Sequence, residues 1–296
     1  MYNNVFQYVF LAVVADGCRL DMESPPTTCK VSGQAALTVL SRKEPKSGEQ
    51  QARAVGAYFA NTTFTKIYAS PLPRARDTAQ ALLDAQPDPK PLHDFSIDLI
   101  KEQSFGAAEG HLPSMREEGK TLTAHFQEGK YPILYESESD VAFPGGESAL
   151  DMLRRGETAV REVLMPHVLS TARTGQEEHI VLVSHGLCIA AIVGGLVRIL
   201  GRGTWKRKGP MVNTGWTRVE VRVQGVQDGI PDELTDGEVP LSEVTVTDES
   251  RKGHLEGLVD ACLPVGMKAY QGGGLVETKN PNEAEAIVQA RVELKN

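Results

Sequence analysis

Three polar side chains fall at strand-to-helix junctions of this chain. They are Arg74 in IYASPLPRARDTAQALL (67–83), Glu102 in LIKEQSFGAAEGH (99–111) and His185 in VLVSHGLCIAAIVGGLV (181–197). In layered α/β proteins ligands sit beyond the carboxyl ends of the strands, so these junctions are where chemistry is expected. Arg74 lies in the first turn of its expected helix. Free amides and the helix dipole attract anions there, and a guanidinium fork adds bidentate recognition of phosphate or carboxylate. Read singly, Arg74 is better taken as a solvated surface arginine paired with Asp77 or another acid, and Arg76 is an ordinary surface residue. Glu102 precedes a glycine-containing loop, where burial would raise its pKa and make it a general acid; its plain alternative is a surface glutamate. His185 is either a hydrogen-bonded core histidine or a ligand-edge residue. A metal reading would pair it with Cys188, but no further ligands follow at useful spacing.

These residues need elements to hold them. Strand-like and helix-like stretches alternate up to about residue 223, which predicts an α/β layered domain. Strands are expected at 10–14, 66–69, 180–183 and 216–223. Helices are expected at 49–59, from Ser70 as N-cap to about Leu83, and at 187–200. Ser148 and Asp151 resemble a capping box, opening a helix with Met152, Leu153, Val160, Val163, Leu164 and Val168 on one face. Residues 111–145 form a polar excursion, expected to cover the pocket and set specificity. After Gln224 the composition shifts toward Asp, Glu, Gly and Pro. A domain at 1–225 followed by an extension at 226–296, partly packed on the core, is therefore expected.

With 296 residues and 41% hydrophobic content, one good-sized core is affordable. The net charge of -8 argues against nonspecific nucleic-acid binding, which rests on Lys and Arg neutralising phosphates. The cysteines, Cys18, Cys29, Cys188 and Cys262, form no CxxC pair and suggest neither a disulfide framework nor a zinc site. Reduced thiols in the cytoplasm, or the nucleus, are expected. Secretion is the weaker alternative, because VFQYVFLAVVA (5–15) has no preceding positive charge and reads as a first strand. No apolar run reaches the ~20 residues of a membrane helix. No Walker loop, GxGxxG fingerprint or GxSxG elbow is present.

Four motifs in order, SPLPRARDTA, KEQSFGAAEG, PGGES and VSHG, resemble the histidine phosphatase superfamily in its phosphoglycerate-mutase-like branch. EQQARAVGAYF is similar to the helix before that family's arginine motif, and VNTGWT (212–217) and HLEGL (254–258) are weaker echoes of its fungal members. The resemblance covers roughly residues 48–223. It implies a three-layer α/β/α sandwich and phosphomonoester hydrolysis without metal or other cofactor. It also implies that Arg74 and His185 bind the phosphoryl group, that Glu102 donates a proton to the leaving oxygen, and that the partner is a small phosphorylated substrate or anion. Phosphatase and mutase are not distinguished by these motifs, and the oligomeric state is left open.

The family's nucleophile is another histidine, in an Arg-His-Gly motif ending the first strand; it forms a phosphohistidine. In FLAVVADGCRLD (10–21) Gly17 is present, but Ala15 stands in place of the Arg and Asp16 in place of the His. The first histidine of the chain is His93. A unit charge pair at 4 Å is worth about 4 kcal/mol at an effective dielectric near 20. Losing one cation and gaining a carboxylate therefore weakens dianion binding by several kcal/mol. Arg19 does not match the lost position. Asp16 could form an acyl phosphate, but phosphatases that do so offset the charge with a metal ion. The chain as written is expected to be inactive or very poor. The alternatives are an active phosphatase or mutase with an unusual nucleophile, and a non-catalytic interaction protein that uses its acidic extension. Residues 18–47 also depart from the family's segment, as either decay or a misassigned exon would produce.

Overall fold

The computed structural model describes residues 4–13, 47–199, 203–206, 211–224, 241–258, 268–269 and 276–277. Ala15, Asp16, Gly17 and Arg19 lie outside the described residues.

The main sheet has six strands, β1 (Asn4–Val13), β2 (Lys66–Ala69), β3 (Leu92–Asp94), β4 (Glu178–Ser184), β5 (Trp216–Gln224) and β6 (Leu241–Arg251). Their spatial order is β3-β2-β4-β1-β5-β6. The first four run parallel; β5 runs against them, and β6, antiparallel to β5, returns to their direction. Alternation along the strands explains the layering, since successive side chains point to opposite faces. Tyr68, Ile180 and Leu182 enter one core, with Val219, Val221 and Val223. Ile67, Ala69, Val181 and Val183 enter the other.

Helices cover both faces, which makes the fold a three-layer α/β/α sandwich. On one side lie α1 (Ser47–Tyr58) and α2 (Pro73–Ala85), burying Val55, Ala75, Ala79 and Leu82. A short α3 (Leu122–Gln127) belongs to the excursion. On the other side lie α4 (Ala149–Ala159), α5 (Met165–Thr174) and α6 (Gly186–Ile199). The helical run from α4 to α5 opens into one wide turn at Val160–Leu164. Pro166 follows at once, has no N–H to offer the residue four back, and so breaks the ladder there.

The Ser148–Asp151 capping box forms as expected: Ser148 Oγ accepts from Asp151 N at 3.0 Å, and Asp151 Oδ2 accepts from Ser148 N at 3.1 Å. Leu153, expected on the buried face, is 36% exposed instead. Ser70 does not cap α2. That helix starts at Pro73, with Leu72 at its N-cap and no side-chain cap, and the Ser70 hydroxyl is turned to another use. Strand β6, which composition gave no sign of, extends the sheet beyond β5.

Candidate active site

The parallel strands deliver their carboxyl ends to one edge. Val13, the last residue of β1, pairs with Ser184, and Ala69 pairs with Val183. His185 therefore follows β4 directly at this edge, and Ile189 N bonds its carbonyl oxygen at 2.8 Å as α6 begins. The side chain is 2% exposed, and its Nε2 lies 2.9 Å from Ser70 Oγ. Burial, followed by the positive charges of Arg74 and Arg155, drives its pKa down to about 2. The ring is neutral and has one N–H to donate.

Arg74 lies in the first turn of α2, half-buried, and its charge acts on both His185 and Glu102. Asp77 lies in the field of the exposed Arg76. Glu102 is 8% exposed. Its carboxyl accepts from Gln103 N at 3.0 Å, Cys188 N at 3.1 Å and Leu187 N at 3.3 Å. It thus receives two of the amides that the start of α6 leaves free. Burial raises its pKa, against the lowering effect of those amides and of Arg74. The structure thus brings Arg74, Glu102 and His185 together, from three separate motifs.

Arg155, which no motif singled out, fixes the Glu102 loop. Its guanidinium donates to the carbonyls of Lys101 (2.7 Å), Leu99 (2.9 Å) and Glu102 (3.2 Å), and grips both carboxylate oxygens of Glu147 at 2.8 Å. Glu147 in turn accepts from Ser104 N at 3.0 Å. The PGGES and KEQSFGAAEG motifs are consequently one structure. Ala107 N bonds Pro144 O at 2.8 Å, and Gly106 has φ +52°. A Cβ on Gly106 would stand 2.4 Å from Pro144 O, and one on Gly146 would stand 2.8 Å from Ser104 O. Only glycine allows the two backbones this close.

A cavity of about 500 Å³ adjoins Glu102, lined among others by Leu72, Leu99, Ser104, Glu109, Glu147 and Arg155. None of the described lining residues of this cavity belongs to 111–145. That segment packs on the loop carrying Glu102 through an aromatic cluster, where Phe126, Tyr131 and Phe143 join Phe105. The two weaker motifs also meet: Thr214 Oγ1 lies 3.0 Å from His254 Nε2. Cys188 is buried with its thiol pushed up to about 12, unsuited to a nucleophile or ligand. Among the described residues no group of three or more His, Cys, Asp or Glu side chains is arranged to hold a metal ion. Among them too, no helix is long and apolar enough to cross a membrane.

Residues 45–227 match the family model of the histidine phosphatase superfamily (branch 1). The chain belongs to this superfamily. Among similar histidine phosphatases, a glucosyl-3-phosphoglycerate phosphatase of Mycolicibacterium vanbaalenii is 28% identical over 190 residues, 64% of this chain and 77% of its own length. Fructose-2,6-bisphosphatase TIGAR B of Danio rerio is 35% identical over 89 residues, 29% of this chain and 33% of its own. A solved mycobacterial glucosyl-3-phosphoglycerate phosphatase with inorganic phosphate aligns with a TM-score of 0.49 and 18% identity, over 84% of this chain and 99% of that one.

Proposed function

We propose that this histidine phosphatase keeps a weakened phosphate pocket but lacks its attacking group, so that phosphomonoester hydrolysis is silent or very slow. The reading rests on one observation above all: Ala15-Asp16-Gly17 follows the first strand where the superfamily carries Arg-His-Gly. In the active ancestor a phosphohistidine forms and water then cleaves it. Here Arg74 binds the phosphoryl oxygens, and the neutral His185 ring donates one hydrogen bond to them. Glu102 is the proton donor to the leaving oxygen, a role favoured by the upward shift that burial gives it. Asp16, a carboxylate at the nucleophile position, repels the dianion.

The partner is a small phosphorylated molecule or anion. An acidic chain and thiols without disulfide spacing support a cytoplasmic protein that does not bind nucleic acid. We read 226–296 as an extension of the domain at 1–225, a reading supported by β6 pairing with β5.

A working enzyme with a substitute nucleophile is the second reading, favoured by the phosphatase names of the relatives. Hydrolysis of p-nitrophenyl phosphate decides between them. The chain as written is expected to be silent, and Ala15→Arg/Asp16→His is expected to turn over in a manner abolished by His185→Ala. Turnover by the chain as written, lost in both Arg74→Ala and His185→Ala, overturns the inactive reading.

A further inference from the structure

The charges around the cavity beside Glu102 carry an inference about the leaving group, which rests on the phosphate-pocket reading above. Four carboxyls line this space: Asp98, Glu102, Glu109 and Glu147. Its two lining cations are already engaged. Lys101 Nζ lies 2.9 Å from Asp98 Oδ1, and Arg155 grips Glu147. Glu102 lies in the field of Arg155 and Arg74, whereas no described lining cation is paired with Glu109. Glu109 is held in place by Phe105 N, which donates to it at 3.1 Å, and by the Ser104 hydroxyl at 3.4 Å. Leu72 and Leu99 supply apolar wall.

This lining suits one kind of alcohol. Carboxylate oxygens and the Ser104 hydroxyl accept hydrogen bonds from hydroxyl groups, and the leucines cover C–H surface. A second carboxylate or phosphate would meet Glu109 with no free cation among the described lining residues. We infer that the pocket selects phosphomonoesters whose leaving alcohol is hydroxylated and carries no second negative charge. Glu109 is the specificity-determining residue, acting by like-charge exclusion.

Two three-carbon esters test this, because they differ chiefly in one terminal group. Glycerol 3-phosphate ends in a hydroxymethyl group and 3-phosphoglycerate in a carboxylate. Their affinities for the full chain are measured by phosphorus-31 NMR titration at fixed ionic strength. Glu109 is exposed and its field is screened, so glycerol 3-phosphate is expected to bind about threefold tighter at low ionic strength. Glu109→Gln, whose amide oxygen still accepts from Phe105 N, is expected to bring that ratio close to one. Arg74→Ala is expected to weaken both esters alike. Equal affinities, or tighter binding of 3-phosphoglycerate, overturn the selectivity while leaving the phosphate pocket standing. A ratio unmoved in folded Glu109→Gln overturns the assignment to that residue. Binding of neither ester removes the pocket itself, and the selectivity with it.

Discussion

The Ser70 hydroxyl and the His185 ring meet at 2.9 Å, tying the loop after β2 to the residue that opens α6. Ser70 is fully buried, and its hydroxyl oxygen accepts from Leu72 N at 3.3 Å. The Ser-Pro of the arginine motif therefore orients a histidine that lies far along the chain. Ser70→Ala leaves Nε2 buried without this partner. It is expected to cost about 1–3 kcal/mol, read as a lower urea midpoint at unchanged slope. A midpoint within error of the parent would mean that the contact carries no weight.

Arg155→Met is expected to destabilise by about 3 kcal/mol, because it strands the Glu147 carboxylate and three carbonyls. Arg155→Lys restores little, since an ammonium cannot reproduce the fork. The measurement is a double-mutant cycle with Glu147→Gln by chemical denaturation, and strong coupling is the expected outcome.

Gly106→Ala places a methyl group in a left-handed backbone against Pro144 O and Gly146 N. A loss of about 3 kcal/mol or more is expected. Gly110, also at positive φ but with open space around it, serves as the control: alanine there meets only the backbone penalty of about 1–2 kcal/mol.

Acidification should weaken the fold through two histidines. The folded pKa values of His185 (about 2) and His254 (about 4) lie below the unfolded value of 6.5. Below pH 6.5 the unfolded chain takes up protons that these buried rings refuse. Their contribution is thus complete above pH 6.5 and fades as pH falls, to about 4 for His254 and about 2 for His185. For His185 the slope approaches about 1.4 kcal/mol per pH unit. His185→Gln is expected to flatten the stability profile between pH 6.5 and 4 by about one proton. An unchanged slope would show that the ring protonates as readily folded as unfolded.

Local patterns announced much of this architecture. The unbroken apolar run IVLV, the Ser148–Asp151 box and Pro at the start of α2 are signals contained within a few residues, and the structure uses each of them. Arg155 gave no such signal. Its partners, the carbonyls of Leu99, Lys101 and Glu102, are backbone groups more than fifty positions away. Any exposed helical arginine looks the same in sequence. Strand β6 did carry a local signal: Glu243, Thr245 and Thr247 are exposed and alternate with Val244 and Val246, which pack on the core, but the acidic composition around the stretch masked that alternation. Ser70 was misread because a serine before Pro-x-Pro is ambiguous between capping its own helix and serving a neighbour. The identity of the residues after β1 was the clearest functional signal, and it is a purely chemical one.

The place of β1 in the strand order bears on how the chain is made. Gln7 pairs with Glu178 on one side and Val221 on the other. The strand that leaves the ribosome before its neighbours is thus bonded on both flanks by segments made much later. At typical synthesis speeds of about 5–20 residues per second, VFQYVFLAV waits roughly ten seconds or more for either neighbour. Such long-range pairing slows folding and leaves an apolar, aggregation-prone strand exposed in the interval. Nascent chains of this protein are accordingly expected to lean on chaperones until β4 and β5 emerge.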